Sequence, residues 1–457
     1  MTRYAMTAIL ALCASGCWFD HVSDPYTYPR LALGRGQICR IPMSELPDLA
    51  RYDLIYGSSA SNALVKWRAD VRDMGYGDWE DRVVLIQVLC PYNAPLERPA
   101  QWEYDLWKEN PQAAVSVAAY ENLKAGCDWY LRDTSGKGFA IWKGTPQAYM
   151  LNTGPACPKG VWGPTKGLTF IEYLCGPWLD AFGGKWRQAW DGVQWEESPD
   201  AVSCWISSIQ SARVVPGPGR APMTCSQFQQ FAQQHADQVY SKCVLELSKR
   251  GIITRINGHF ALRECPSWGL APRLHAAFVA CKMEQVGNWG GCPAWDAPSW
   301  ARAYMALESL YHPLSPTEPV ERSAWDRLQG WDMSTMECMP LPKWGATERD
   351  RWERLYLGLT LMGDGTFSLA WTGDQYGHQG LGPVPRIREL DYELGEALGG
   401  YAEYIDQTAP GMPVYYRCFE RGSVVVNPWG QQIAGIAKQD AVWFKGLWPG
   451  SRERIGE

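Results

Sequence analysis

The chain has 457 residues, of which 46% are hydrophobic and 20% are charged, and its formal net charge is -6. This composition excludes a disordered chain, and the length is enough for one large domain with a small appendage or for two to three ordinary domains. Because no Lys/Arg-rich run is present to neutralise a phosphate backbone, the sequence argues against a nucleic acid partner.

The first 17 residues resemble an export signal. Arg3 is followed by an apolar stretch that ends at Ala14, which is too short to span a bilayer and matches the core of a signal peptide. The segment Ala14-Ser15-Gly16-Cys17 resembles a bacterial lipobox, so we expect Cys17 to be lipidated. The protein is then exported, either as a lipoprotein whose only membrane attachment is this anchor or as a secreted protein. An apolar first helix or strand is the alternative.

Short apolar runs follow, and they alternate with helical or loop segments between residues 40 and 382. This order is typical of a parallel sheet wrapped by helices. The predicted strands are 51–57, 83–89, 129–132, 193–196, 252–257, 278–284, 333–339 and 366–371. The predicted helices are 61–74, 226–250, 297–310 and 347–361. Eight strands favour an α/β fold with a single (β/α)8 TIM barrel.

The character of the chain changes after residue 382, where a Pro-rich segment precedes two β-rich runs. These runs lie on either side of Arg421-Gly422 and predict a hairpin. We therefore expect residues 385–445 to form a small C-terminal β appendage.

Cysteine and motif counts limit the chemistry. Export would permit disulfides among the 15 Cys, although removing Cys13 with the signal and lipidating Cys17 leaves an odd number. The chain has no CxxC or HExxH motif and only six His, so we predict no metal site and no cofactor. It also has no phosphate-binding loop and no GxSxG motif, which argues against phosphoryl transfer and serine hydrolysis.

The strand at 193–196 carries the first candidate acid. Side chains of a barrel strand alternate between the lumen and the helix layer, and functional groups lie at C-terminal strand ends. If Val193 faces the helices, Gln194 and Glu196 face the lumen, and Glu196 lies at the C-terminal end. Glu197 is the alternative, because a shift of one residue in strand phase exchanges the two.

The strand at 278–284 carries the second candidate acid. The same alternation places Lys282 and Glu284 in the lumen, with Glu284 at the C-terminal end. On the preceding strand Arg255 and Asn257 face inward, and on the strand at 83–89 we expect Gln87 to face the lumen.

Two carboxyl groups at the top of a barrel match the requirement of glycoside hydrolysis. One carboxyl protonates the leaving oxygen, while the other attacks the anomeric carbon or activates water. We assign Glu196 as nucleophile or general base and Glu284 as general acid/base. Structural alternatives remain open: Glu196 as a cap or loop ion pair, and Glu284 as an ion pair with Lys282 or Arg255. The remaining predicted substrate-binding residues are Asn257, Asp191, Gln194, Lys282 and Trp195, with Asp191 alternatively a turn or barrel-base residue.

Several short motifs resemble TIM-barrel families described as hypothetical glycosyl hydrolases. They are Tyr52-Asp53-Leu54-Ile55, Trp129-Tyr130-Leu131-Arg132-Asp133, Trp190-Asp191-Gly192-Val193, Ile256-Asn257-Gly258, Met283-Glu284, Asp391-Tyr392-Glu393-Leu394-Gly395 and Val424-Val425-Val426-Asn427-Pro428. The resemblance implies an α-galactosidase-like barrel with a C-terminal β region and acids after the fourth and sixth strands. Where such families show Asp-Gly-Val-x-x-Asp, this chain ends the motif with Glu196, which lengthens the side chain by one methylene.

The aromatic composition agrees with a carbohydrate partner. The chain has 25 Trp and 22 Tyr against 11 Phe, and these side chains suit both core packing and stacking on sugar rings. The sequence therefore predicts a glycoside hydrolase that cleaves O-glycosidic bonds in an oligo- or polysaccharide. The alternatives are a carbohydrate-binding barrel without catalysis and a structural component of the cell envelope.

Overall fold

The structure is a computed structural model of the protein. It describes residues 28–34, 52–57, 61–76, 84–89, 93–95, 129, 131–132, 141–142, 148–150, 152, 154, 156–160, 166–180, 190–195, 221, 223–224, 227, 246–247, 250–257, 280–284, 335–338, 346–369 and 387–445. The predicted signal with Cys17, both Glu196 and Glu197, and the predicted helix at 297–310 lie outside the described residues, as does most of the predicted helix at 226–250.

The described strands number fifteen. In chain order they are β1 (Leu31–Gly34), β2 (Leu54–Gly57), β3 (Val84–Leu89), β4 (Asn93–Pro95), β5 (Ile141–Trp142), β6 (Ala148–Met150), β7 (Gly192–Trp195), β8 (Ile253–Asn257), β9 (Ala280–Glu284), β10 (Thr335–Cys338), β11 (Thr366–Leu369), β12 (Ala402–Tyr404), β13 (Val414–Phe419), β14 (Gly422–Asn427) and β15 (Asp440–Lys445). The α-helices of the described residues are α1 (Ser61–Val71), α2 (Phe170–Tyr173) and α3 (Ala346–Thr360).

Eight of these strands form a closed barrel in the order β1-β11-β10-β9-β8-β7-β3-β2. Every pairing in the barrel is parallel, and each strand pairs with the next barrel strand along the chain until β11 closes on β1. Because all strands run the same way, the barrel has one edge of N-terminal strand ends and one edge of C-terminal strand ends.

Seven of the eight predicted strands coincide with barrel strands, and the eighth differs. The structure uses Leu31–Gly34 as β1, before the predicted domain boundary at residue 40, and the segment at 129–132 is not in the barrel. Trp129 instead packs on Phe170 and Tyr173, with ring centroids 5.5 and 5.4 Å apart, and its indole N–H donates to the Leu168 carbonyl at 3.1 Å. The aromatic content of this segment therefore serves packing outside the sheet.

Helix α3 is packed between the barrel and the C-terminal sheet. Its residues Leu355, Leu357 and Leu359 are fully buried. The helix and the sheet approach closely at Gly358, where an added Cβ would lie 2.6 Å from the Ala441 Cβ of β15. Arg354 donates two hydrogen bonds to the Asp440 carboxylate, at 3.0 and 3.2 Å. Burial lowers the pKa of Arg354, but the hydrogen bond and charge of Asp440, together with the charges of Glu389 and Asp350, raise it above its ordinary value.

The C-terminal sheet is antiparallel in the order β12-β13-β14-β15. Phe419 is in register with Gly422, so Glu420 and Arg421 form the turn of a hairpin between β13 and β14. The hairpin predicted around Arg421-Gly422 is confirmed. Behind it, the Asn427 amide donates to the carbonyls of Gln431, Ile436 and Ala437 and fixes the following loop.

A polar cluster attaches this sheet to the N-terminal edge of the barrel. Asp364 lies two residues before β11; its carboxylate accepts a hydrogen bond from the Tyr28 hydroxyl at 2.9 Å and forms an ion pair with Arg417 of β13. Arg30 donates to the Asp364 carbonyl at 2.6 Å, and Arg417 donates to the Gly399 carbonyl at 2.7 Å. Asp364 is therefore a structural residue at the edge opposite to the C-terminal strand ends.

Candidate functional site

A buried arginine occupies the barrel lumen. Arg255 of β8 is fully buried; its Nε donates to the Gln194 Oε1 at 2.7 Å, its Nη2 donates to the same oxygen, and its Nη1 donates to the Thr335 Oγ1 at 2.7 Å. The guanidinium carbon also lies 4.5 Å from the ring centroid of Tyr56 on β2. Because β2 and β10 are not neighbours of β8, these contacts cross the lumen, where Gln194 and Arg255 were predicted to lie.

More hydroxyl groups extend this network around the barrel. The Thr335 and Thr366 hydroxyls lie 2.8 Å apart, and the Tyr56 and Ser368 hydroxyls lie 3.1 Å apart. Thr335, Thr366 and Ser368 have no exposed surface. Barrel lumens are usually filled by branched apolar side chains, and burying polar groups is costly unless they are hydrogen-bonded. Because a polar lumen departs from this usual pattern, it indicates a functional role.

The charge of Arg255 affects the strand ends above it. An arginine stays protonated in proteins, so the lumen carries a fixed positive charge. At an effective dielectric constant of about 20, a carboxylate about 8 Å away is stabilised by roughly 2 kcal/mol in its ionised form. The network therefore favours an anion at the C-terminal edge of the barrel.

The strand ends place the predicted residues along this edge. Asn257 and Glu284 are the last residues of β8 and β9, and Glu196 follows directly after Trp195, the last residue of β7. The register pairs Trp195 with Ile256 and Asn257 with Lys282. The backbones of Asn257, Lys282 and Glu284 thus lie on two neighbouring strands, while their side chains are outside the described set.

Two predicted positions differ from the structure. Asp191 precedes β7 and so lies at the N-terminal edge, where its carboxylate is 3.8 Å from the Arg68 guanidinium of α1. Asp191 therefore has the position of a barrel-base residue, which was the alternative to its predicted role in substrate binding. The predicted lumen phase of Gln87 is wrong, because Gln87 is in register with Val193, whereas Gln194 is in register with Val88. The continuous apolar run of β3 carries no alternation that could have shown its phase.

Sequence reasoning missed the polar residues of β10 and β11. Thr366 and Ser368 stand on either side of the buried Phe367 in β11, and Thr335 and Glu337 stand in the same way on either side of Met336 in β10. A polar phase in an otherwise apolar strand was the available signal, and it was applied to β7, β8 and β9 but not to these two strands.

Within the part of the chain whose side chains are described, no group of three or more His, Cys, Asp or Glu residues is arranged to hold a metal ion. No helix among the described residues is long and apolar enough to cross a membrane. Comparison with models of known protein families and with curated proteins finds no match to this chain.

Proposed function

We propose that the chain is a (β/α)8 glycoside hydrolase that cleaves O-glycosidic bonds in an oligo- or polysaccharide, with Glu196 and Glu284 as its acids. One observation carries the proposal: the closed parallel barrel has a polar, positively charged lumen that leads to the edge where β7 and β9 end. In barrel enzymes this edge is the one that bears the active site.

The strand order supports the pairing of the two acids. Strands β7 and β9 are separated by β8 alone, and neighbouring strands are about 4.8 Å apart, so their backbones are roughly 10 Å apart. Glutamate side chains extending from backbones at this separation can flank a sugar. The carboxyl separations of glycosidases, about 5 to 9.5 Å, are within their reach.

The lumen network has a positioning role in this proposal. Gln194 is buried and its Oε1 accepts two hydrogen bonds from Arg255, so it holds the guanidinium and does not contact substrate. Arg255 in turn favours the ionised form of the carboxyl group that acts as nucleophile or general base, while the other carboxyl carries the proton for the leaving oxygen. Asn257 and Lys282 at the same edge bind sugar hydroxyls.

The test is hydrolysis of 4-nitrophenyl α- and β-glycosides and of polysaccharides by the full chain and its Glu196→Gln and Glu284→Gln variants. We expect either change to lower kcat by about 10²–10⁴-fold, the usual contribution of acid–base catalysis. Glu403→Gln, on the exposed face of β12, is the matched control. Sugar binding by the folded wild type without turnover would replace the hydrolase with a carbohydrate-binding barrel.

Export is the second part of the proposal. It rests on the resemblance of residues 14–17 to a lipobox, and it places the protein in the cell envelope or outside the cell. Disulfides are then expected in the mature protein. The mature protein should carry lipid on Cys17, and Cys17→Ser should move it from the membrane to the soluble fraction. Mature protein without lipid would support simple secretion.

A further inference from the structure

Two glutamates are register partners at the C-terminal edge of the barrel. Glu284 of β9 pairs with Glu337 of the neighbouring strand β10. The two residues are thus lateral neighbours on adjacent parallel strands, with backbones about 4.8 Å apart. Glu337 is not among the acids that sequence reasoning selected.

The lumen phase of Glu337 follows from the residue two positions before it. The Thr335 hydroxyl contacts Arg255 and Thr366, so Thr335 is a lumen residue of β10. Residues two apart on a strand share a face, which assigns Glu337 to the lumen face as well. Its register partner on the other side, Ser368 of β11, is also a lumen residue, because the Ser368 hydroxyl contacts Tyr56 across the barrel.

We propose that Glu337, and not Glu196, is the nucleophile that acts with Glu284. This inference replaces one acid of the proposed glycosidase and predicts hydrolysis with retention of anomeric configuration. The inference rests on the proposed function and specifies its chemistry. Retaining glycosidases hold their carboxyl groups about 5–5.5 Å apart, whereas inverting enzymes need about 6.5–9.5 Å to admit a water. Register partners on adjacent strands match the shorter spacing, and residues on β7 and β9 match the longer one.

In the first step, a Glu337 carboxylate oxygen forms a bond to the anomeric carbon as the bond from that carbon to the leaving oxygen breaks. The leaving oxygen keeps the electron pair and takes the proton of Glu284. In the second step, water bonds to the anomeric carbon and gives a proton to Glu284, while the bond to Glu337 breaks. Both carboxyl groups return to their initial states.

The charged groups near this pair favour the assignment. Arg255 donates to Thr335, one lumen residue below Glu337 on the same strand, and Lys282 is two residues before Glu284 on β9. Among the described barrel strands, β1, β2, β3 and β11 contribute no charged residue. A cation that reaches the lumen face of β10 favours a negatively charged group on that face, such as the carboxylate of a nucleophile.

The first measurement is the anomeric configuration of the product by proton NMR, on the wild-type full chain with any 4-nitrophenyl glycoside that it cleaves. Retention is expected, and because this measurement uses only the wild type, it does not depend on the folding of any variant. Glu337→Gln should lower kcat by 10²-fold or more with Glu403→Gln unchanged, and sodium azide added to Glu337→Ala should give a glycosyl azide of inverted configuration.

The outcomes separate this inference from the proposed function. Inversion by the wild type, or full activity of a folded Glu337→Gln variant, would overturn the role of Glu337 and leave a hydrolase that uses Glu196. Absence of turnover on every glycoside would overturn the proposed function itself. Retention together with azide rescue at Glu337, but not at Glu196, would establish the pair.

Discussion

The contact between α3 and the C-terminal sheet can be tested with a single methyl group. At Gly358 an added Cβ would meet the Ala441 Cβ at 2.6 Å and the Val426 Cγ2 at 2.9 Å, well inside the ordinary contact distance of 3.4–4 Å. Both neighbours belong to the sheet, and the Ala441 Cβ is fixed to its backbone and cannot rotate away. Gly358→Ala must therefore push the helix and the sheet apart.

The magnitude follows from two opposing effects. Overpacking of a close contact costs about 1–3 kcal/mol, whereas replacing glycine by alanine within a helix gains about 1 kcal/mol. The difference is about 0–2 kcal/mol. Because the Ala441 Cβ cannot move aside, we expect Gly358→Ala to lower the free energy of unfolding by a value near the upper end of this range, roughly 2 kcal/mol. Gly176 is the matched control, since nothing lies within 4 Å of its added Cβ, and Gly176→Ala should leave stability unchanged or raise it.

Chemical denaturation followed by circular dichroism measures both variants. Ala441→Gly makes room for the new methyl group, so the double variant Gly358→Ala/Ala441→Gly should recover stability relative to the sum of the single changes. Equal stability of Gly358→Ala and the wild type, or strict additivity in the double variant, would show that the helix and the sheet do not approach each other as described.

Three further predictions concern the lumen, the N-terminal edge and the C-terminal sheet. Arg255→Met should shift the acidic limb of the pH–rate profile upward by about one unit, because the attacking carboxylate loses a cation; an unshifted limb in a folded variant would contradict the role of Arg255. Arg417→Met should lower the free energy of unfolding by about 3 kcal/mol, because Asp364 keeps its charge without this partner, and Asp364→Asn in the same chain should restore part of the loss in urea denaturation. Burial, assisted by a nearby carboxylate, raises the pKa of Tyr401 and of Tyr404 above 10.0. Their contribution to stability is therefore present below pH 10 and lost as the pH rises through the folded-state pKa. Between pH 8 and pH 11, the midpoint temperature of thermal unfolding should fall less steeply for the double variant Tyr401→Phe/Tyr404→Phe than for the wild type.

Local patterns were sufficient where a strand has a clear period or a marked turn. The hairpin of β13 and β14 was found because two β-rich runs enclose Arg421-Gly422. The alternation in β7 and β8 likewise gave the inward phase of Gln194 and Arg255. In these cases the information lies within a few residues of the chain, which is the range that a strand's two-residue period covers.

Local patterns failed where a segment's role depends on distant partners. Residues 129–132 have the composition of a strand, yet Trp129 packs on Phe170 and Tyr173, while the short β1 completes the barrel through pairing with β2 and β11. Which of two short apolar segments enters a sheet depends on the edges that are open to pair with it.

The sequence by itself determined the features that depend on local pattern. These are seven strands, the hairpin, and the phase that directs polar residues of β7 and β8 toward the lumen. Only the tertiary structure decided which residues are register partners on neighbouring strands. Glu337 became a candidate because β10 stands beside β9 with Glu284 opposite it, and Asp191 ceased to be one because it lies at the other edge. The physical reason is that register is fixed by hydrogen bonds between strands remote in sequence, and a local pattern carries no record of them.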